Sequence, residues 1–268
     1  MKYNKLVNTI SLVFAFVIMI TPGNSQAEIT QESIVGAWLF DEGAGEKAMD
    51  ITRKSADGLL TGGPSWVDGK YGQALGFDGS DDYLEIALPE ILNNIPGNSF
   101  SVVYWINVRD ITGSGNIWTR VIEARFDNVN YFQFVIQIND GEFGVNHVAD
   151  GSERTVITDN PISADTWYHA ALVWDATQAT IKFYLDGVLQ SGVGTTPASP
   201  GDKKEINIGR RTDGNIDTYF DGIIDEFAIL NVVLTEEDIE TIMDYGLFVI
   251  APVSSKGKLA TLWSKIKD

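Results

Sequence analysis

Acidic residues that could bind a metal ion are concentrated in the turns predicted for this 268-residue chain. Asp78 and Asp82 stand close together in one such turn, and Asp81 lies between them. Calcium takes six to eight oxygen ligands, which carboxylates and backbone carbonyls of loops can supply. Asp side chains also cap turns by accepting hydrogen bonds from backbone N–H groups. The sequence leaves both roles open for this turn.

Side chains suited to binding a sugar occur in three other stretches. Trp118 is followed by Arg120, Tyr131 lies in a segment rich in Asn and Gln, and Arg210 and Arg211 are adjacent. An exposed aromatic ring offers a flat apolar surface, and a few polar groups beside it fix the orientation of a ligand. Trp118 and Tyr131 are also compatible with ordinary positions in the core or at its rim.

The charge composition excludes several classes of partner and site. The chain has 19 Lys and Arg against 37 Asp and Glu, a formal net charge of -18. Such a field repels phosphate backbones and anionic lipids, so nucleic acid is not an expected partner. The absence of Cys excludes disulfides, thiolate metal sites and Cys nucleophiles. The two histidines leave little room for general-base catalysis near neutral pH.

Most of the chain alternates between apolar and polar residues with a period of two, which predicts β-strands. Asp-Gly pairs, such as Asp186-Gly187, suit the tight turns between them. His147 is assigned to a loop. The predicted strands are residues 34–40, 84–88, 99–108, 121–126, 131–138, 167–174, 180–185, 188–189, 205–208 and 222–230.

One helix is expected near the end of this region. Thr235 is a good N-cap, the acids that follow it suit a helix N-terminus, and Gly246 ends the apolar stripe. About a dozen strands with one short helix indicate an all-β fold, a two-sheet antiparallel β-sandwich of the jelly-roll kind.

Four segments carry a family resemblance: residues 35–43 (VGAWLFDEG), 69–84 (GKYGQALGFDGSDDYL), 167–174 with 181–187 (WYHAALVW and IKFYLDG), and 222–230 (GIIDEFAIL). Together they resemble the laminin-G-like jelly roll of the concanavalin A-like lectin and glucanase superfamily. The resemblance implies two sheets packed face to face, with a concave face that can hold glycan or protein ligands. It also implies one structural calcium ion between Asp50 and Asp225, with the turn at residues 78–82 as the alternative location.

The superfamily includes retaining glucanases that carry a Glu-x-Asp-x-Glu set on one strand, and this spacing recurs at Glu236, Asp238 and Glu240. In this chain the set falls on the predicted helix, where residues two apart diverge by about 200° and cannot converge on one substrate. We therefore expect no catalytic residues.

Three regions are expected along the chain. Residues 1–27 resemble a secretory signal peptide, since Lys2 and Lys5 precede an apolar run at residues 10–20 that is too short to span a membrane. Residues 28–250 form one domain, and residues 251–268 form a basic amphipathic tail. The expected location is therefore outside the cytoplasm: extracellular, periplasmic or at the cell surface, with no transmembrane span in the mature chain.

The sequence predicts a secreted, non-catalytic binding module that recognises carbohydrate or another cell-surface component and holds a structural calcium ion. One alternative is a structural or adhesive domain that binds a surface protein and has no glycan affinity. A laminarinase-type glycoside hydrolase is the other alternative.

Overall fold

The computed structural model describes residues 29–87, 89, 98–111, 118–125, 131–137, 141–149, 152–190, 205–211 and 219–247. The predicted signal peptide (1–27) and basic tail (251–268) lie outside the described residues. Within the described part of the chain, no helix is both long and apolar enough to cross a membrane.

The described residues contain sixteen strands, one α-helix and a short 3₁₀ helix at Gln31–Ser33. The strands and the helix are β1 (Ile34–Trp38), β2 (Lys47–Ala48), β3 (Gly58–Thr61), β4 (Ser65–Asp68), β5 (Gln73–Asp78), β6 (Tyr83–Ala87), β7 (Phe100–Val108), β8 (Trp118–Arg125), β9 (Tyr131–Gln137), β10 (Glu142–Ala149), β11 (Ser152–Ile157), β12 (Trp167–Asp175), β13 (Thr180–Leu185), β14 (Val188–Leu189), β15 (Glu205–Ile208), β16 (Asp221–Leu230) and α1 (Glu236–Tyr245).

The strands form two antiparallel sheets, which confirms the predicted sandwich. Sheet A has the order β14-β13-β12-β7-β16-β5-β4, with β1 also paired to β16. Sheet B has the order β11-β10-β9-β8-β15-β6-β3-β2. Strands from distant parts of the chain are neighbours in both sheets, so β15 lies between β6 and β8. This order brings side chains that are far apart in sequence onto one face.

A large apolar core fills the space between the sheets. It includes Trp38 stacked on Phe227 with ring centroids 5.5 Å apart, and Phe143 packed edge-on against Phe183 at 5.4 Å. Residues two apart on each strand contribute to it, as the alternating pattern predicts. The loop assignment of His147 was wrong, because this residue lies within β10, which pairs with β9 and β11.

Helix α1 covers the other face of sheet A. Ile239 and Ile242 are buried there in a second apolar cluster. The Thr235 hydroxyl accepts a hydrogen bond from the Asp238 N–H at 3.0 Å, and the Asp238 carboxylate accepts one from the Thr235 N–H at 2.9 Å. This capping box and the C-cap at Gly246 confirm the predicted helix and its ends.

His169 is buried on this same face, beside the Trp105 ring, with ring centroids 5.2 Å apart. Its Nδ1 atom has no hydrogen-bond partner within the described part of the chain. Desolvation, with a smaller contribution from the positive charge of Lys70, lowers the pKa of His169 to about 3. The imidazole is therefore neutral at physiological pH.

Candidate functional site

Hydrogen-bonding side chains occupy the face of sheet B that points away from the core. Leu84 and Ile86 of β6 are core residues, as are Ile206 and Ile208 of β15. The residues between them therefore point to the opposite face. Glu85, Asn207 and Glu123 are register partners across β6, β15 and β8. The sheet thus places two carboxylates on either side of one amide.

Arg210 joins these strands into a compact group. Its Nε atom donates to the Asn207 Oδ1 atom at 2.9 Å, and its Nη2 atom lies 3.4 Å from the Glu85 Oε2 atom. The guanidinium carbon also lies 3.4 Å from the centroid of the Tyr83 ring. We call Tyr83, Glu85, Asn207 and Arg210 the Arg210 cluster. Its Arg and Glu side chains are 23% and 39% exposed, so solvent reaches the cluster.

Arg120 lies deeper on the same sheet. Its Nε atom is 3.8 Å from the Glu123 Oε2 atom, and both side chains are almost fully buried. A buried ion pair of this kind fixes side-chain orientation more than it adds stability. Asn207, which pairs with Glu123 across the strands, is fully buried, and its Nδ2 atom has no partner among the described residues. The structure therefore brings two of the predicted ligand residues, Arg120 and Arg210, onto one sheet.

The remaining predicted ligand residues are near the same sheet. Trp118 begins β8, and Tyr131 begins β9 opposite Arg125. The side chains of Trp118 and Tyr131 lie outside the described part of the chain. Arg211 follows Arg210 and is half-buried.

Three carboxylates meet in the turn between β5 and β6, which we call the acidic turn. The oxygens of Asp78, Asp81 and Asp82 lie within 4.8 Å of one another. The Asp82 Oδ2 atom accepts a hydrogen bond from the Asp78 N–H at 3.0 Å. Desolvation, together with the negative charges of Asp78 and Asp81, raises the pKa of Asp82. A bound cation would attract all three carboxylates and stabilise the charged form of Asp82. The turn therefore offers the kind of oxygen ligands that calcium prefers.

Asp50 and Asp225, expected to share an ion, have different partners. The Asp50 carboxylate accepts hydrogen bonds from four backbone N–H groups and one hydroxyl, those of Ala37, Thr52 (N–H and hydroxyl), Lys54 and Ser55. Asp225 accepts one from the Tyr71 N–H at 2.8 Å. Among the described residues, the acidic turn is the one group of three or more carboxylates or histidines close enough to hold an ion. Whether an ion binds at the acidic turn or between Asp50 and Asp225 stays a prediction.

The Glu-x-Asp-x-Glu spacing lies on α1, as predicted. Glu236 is the first residue of the helix, and the Asp238 carboxylate accepts the hydrogen bond from the Thr235 N–H that completes the capping box. Residues two apart on a helix diverge by about 200°, so Asp238 points away from Glu236 and Glu240, which lie one turn apart on one face. The spacing therefore does not place the three carboxylates on one face, as it would on a strand.

Sequence reasoning missed Glu85, Asn207 and Glu123. The local pattern contained a signal, because each is a polar residue between or beside core residues and so points outward. That these three outward residues are neighbours depends on β15 pairing with β6 and β8, which local alternation does not specify.

Comparison with known proteins assigns the fold to a family. The profile of the concanavalin A-like lectin/glucanases superfamily matches residues 78–240, more than half of the chain. The search of curated proteins found no match.

Several solved structures share the fold. Domain 4 of AbnA, a GH43 extracellular arabinanase from Geobacillus stearothermophilus, solved with arabinotriose, is 21% identical with a TM-score of 0.63, and the match covers 78% of this chain and 98% of that domain. The binding domain of Paraclostridial Mosquitocidal Protein 1 is 16% identical with a TM-score of 0.64, covering 79% and 52%. The botulinum neurotoxin serotype D ligand binding domain, solved with N-acetylneuraminic acid, is 16% identical with a TM-score of 0.62, covering 80% and 51%. The chain thus spans about half the length of the two toxin domains.

Proposed function

The chain belongs to the concanavalin A-like lectin/glucanase superfamily, and we propose that it is an exported, non-catalytic module that binds carbohydrate through the Arg210 cluster. One observation carries this proposal. A guanidinium stacked on Tyr83 and bonded to Asn207 lies at the border between buried and exposed surface. Such a group presents a guanidinium, an aromatic edge and a carboxylate side by side, which is a mixture that fixes sugar hydroxyls, while the buried Asn207 amide orients the guanidinium.

The binding groups of this site are held in place before a ligand arrives. Arg210 bridges Asn207 and Glu85, so less side-chain freedom is lost on binding. Structural neighbours that were solved with arabinotriose and N-acetylneuraminic acid support a sugar as the ligand class.

We further propose that the acidic turn holds a structural calcium ion. Asp78, Asp81 and Asp82 would supply carboxylate ligands to it. The turn leads directly into β6, whose first residue is Tyr83. A bound ion would therefore fix the start of the strand that carries two members of the Arg210 cluster. Export is proposed from residues 1–27, and outside the cell calcium is abundant enough to fill weak sites.

Binding to a panel of soluble glycans tests the function. The panel includes arabinotriose and N-acetylneuraminic acid, and calorimetry on the purified chain measures affinity. We expect Arg210→Ala to weaken binding tenfold or more, because it removes a charge-assisted donor, worth about 1.5–3 kcal/mol. Arg53→Ala is the matched control, since Arg53 is exposed in a different loop and its loss changes the net charge equally.

Three outcomes would contradict the proposal. Equal weakening by Arg210→Ala and Arg53→Ala would show that only net charge matters. Release of reducing ends from a bound glycan would indicate hydrolysis instead. Binding to no glycan would favour the adhesive alternative, for which the edge strand β14 offers an exposed surface with Val188 63% exposed.

A further inference from the structure

Helix α1 and strand β14 lie side by side at one edge of sheet A. A methyl group added at Gly187, which directly precedes β14, would lie 3.5 Å from the Glu240 Cγ atom and 3.8 Å from the Met243 Cε atom of α1. Leu189 is the register partner of Tyr184, which packs in the apolar cluster beneath α1. The Leu189 side chain therefore points to the same side of the sheet as α1. We call α1 and β14 together the helix–edge surface.

The strand side of the helix–edge surface is apolar and open. Val188 and Leu189 are 63% and 38% exposed. Among the described strands, β14 pairs with β13 alone and ends the order of sheet A. An edge strand with exposed apolar side chains is a place where another segment can pack or pair.

The helix side of this surface is acidic. The ten residues of α1 include five acids and no Lys or Arg. Glu236, Glu240 and Asp244 are exposed, and they follow one side of the helix at a spacing of four residues. None of the three forms a salt bridge with another described residue. Exposed carboxylates beside an apolar edge match a segment that is both basic and amphipathic.

The basic tail at residues 251–268 has this complementary pattern in its sequence. It contains four Lys and one Asp. Four apolar residues recur at the i, i+3, i+4 and i+7 spacing of one helix face: Leu259, Leu262, Trp263 and Ile266. Because each residue turns a helix by about 100°, Lys258 and Lys265 fall on one side of this stripe and Lys267 on the other. Lysines would therefore flank the apolar face wherever it packs.

The tail can reach the helix–edge surface of its own chain. The described residues end at Leu247, which is buried in the same apolar cluster as the inner face of α1. The stretch from Leu247 to Leu259 can extend over about 40 Å, whereas α1 is only about 15 Å long. A surface on the same chain also has a high effective concentration. An anionic membrane is a poorer partner, because the chain has a formal net charge of -18.

We propose that the basic tail docks as a helix on the helix–edge surface of its own chain. Its apolar stripe covers Leu189 and Met243, and its flanking lysines pair with the exposed acids of α1. A short helix is marginal alone in water, so the tail is stabilised by this contact. The docked tail also keeps the edge of β14 from pairing with other chains. This inference goes beyond the proposed function, because the helix–edge surface belongs to sheet A and the Arg210 cluster to sheet B.

Carbodiimide cross-linking of the full chain, analysed by mass spectrometry, tests the contact. The reagent joins a Lys to a carboxylate only where the two side chains meet, so we expect links from Lys258, Lys265 or Lys267 to the exposed acids of α1. An equal mixture of unlabelled and ¹⁵N-labelled chain separates links within a chain from links between copies. Links to other acids alone would overturn the proposal. Links formed equally between labelled and unlabelled chains would show that a second copy binds this surface instead.

Hydrogen exchange on the full chain measures the stability of the docked tail. Docking should slow the exchange of amides in residues 259–266 by at least about tenfold relative to an unprotected chain. Glu240→Lys replaces attraction by repulsion and should reduce this protection by about threefold or more. Glu46→Lys is the matched control, since Glu46 is exposed directly before β2 of sheet B, and it should leave the protection unchanged. An unprotected tail in the parent, or equal effects of the two substitutions, would overturn the proposal.

Trp263→Ala separates docking from the folding of the sandwich, because Trp263 lies outside the described residues. Loss of the docked tail should speed exchange in α1 and β14 by about threefold or more. Thr261→Ala, on the opposite side of the tail helix, should not. Unchanged exchange of α1 and β14 in Trp263→Ala would contradict the proposal. Binding of the parent to phosphatidylglycerol vesicles, with no protection of the tail in their absence, would assign the tail to a lipid surface instead.

Discussion

The loop around Asp50 and the acidic turn both contain several Asp residues, but their carboxylates have opposite kinds of neighbours. In the Asp50 loop, one buried carboxylate is surrounded by donors: four backbone N–H groups and the Thr52 hydroxyl. In the acidic turn, three carboxylates face one another, and burial raises the pKa of Asp82. The Asp50 carboxylate is stabilised by donors of the protein itself, whereas a bound cation would reduce the repulsion among the three carboxylates of the acidic turn.

The comparison shows that the number of donors around a carboxylate, and not the density of acids in the sequence, distinguishes a structural Asp from a candidate metal ligand. A carboxylate has about four lone-pair sites. Five donors bind the Asp50 oxygens and hold residues 52–55 against Ala37 of β1.

The largest expected effect is that of Asp50→Ala. The substitution leaves four backbone N–H groups without their acceptor, and each buried unsatisfied group costs about 1–3 kcal/mol. We expect the free energy of unfolding to fall by at least about 4 kcal/mol, measured by urea denaturation, with or without calcium. Asp68→Ala, at an exposed position, is the control. A loss below about 1 kcal/mol would show that water replaces the carboxylate readily.

The next effect is that of calcium on the acidic turn. An ion bound only to the folded state adds about 2.7 kcal/mol at a hundredfold excess over its Kd. We expect calcium to raise the Tm and a chelator to lower it, and Asp82→Asn should remove the response. Asp50→Asn should lower the starting Tm but keep the response. Identical melting curves in calcium and in chelator would refute the calcium site.

Thr52→Val removes the hydroxyl that binds Asp50 and leaves the carboxylate in place. The Thr52 hydroxyl lies 2.8 Å from both Asp50 oxygens, and Val has the same shape without the hydroxyl. A single such hydrogen bond contributes about 1 kcal/mol, which is the loss we expect in urea denaturation. The calcium response should not change. A loss as large as that of Asp50→Ala would mean that the hydroxyl, and not the carboxylate, organises the loop.

The smallest effect is that of Asp81→Asn in the absence of calcium. Removing one of three neighbouring negative charges at an exposed position relieves repulsion that solvent already screens. We expect a slight increase in Tm in chelator, together with a weaker response to added calcium. A decrease in Tm would indicate that Asp81 makes a stabilising contact of its own.

Alternation of apolar and polar residues predicted ten of the sixteen strands in the described residues, and the Thr235 and Gly246 caps predicted helix α1. The alternation failed for short strands that do not bury alternate residues. In β4, for example, two half-buried residues lie between two exposed ones. In β10, the polar residues near His147 resembled a loop, although the strand is paired on both sides. These segments are strands because they pair with neighbouring strands. The local sequence does not specify which strands will pair.

The candidate site was predictable in part. Arg120 was identified beside Trp118, and Arg210 because adjacent arginines stand out in an acidic chain; Arg120 lies in β8 of sheet B, and Arg210 follows β15 of the same sheet. Their partners Glu85 and Glu123 were not identified, because each comes from a strand separated from β15 by about eighty residues of sequence or more. The different surroundings of Asp50 and of the acidic turn were not predictable either, since both are Asp residues in turns.

The burial of His169 beside Trp105 makes unfolding a proton-uptake reaction in mildly acidic solution. An exposed His has a pKa near 6.5, whereas the pKa of His169 in the folded protein is about 3. Between these values the unfolded chain holds one proton more than the folded chain, so stability falls as the pH is lowered through this window. The slope approaches about 1.4 kcal/mol per pH unit below pH 6.5, so stability falls by about 2 kcal/mol between pH 6.5 and 4.5. The fold is therefore least stable where the surroundings turn acidic.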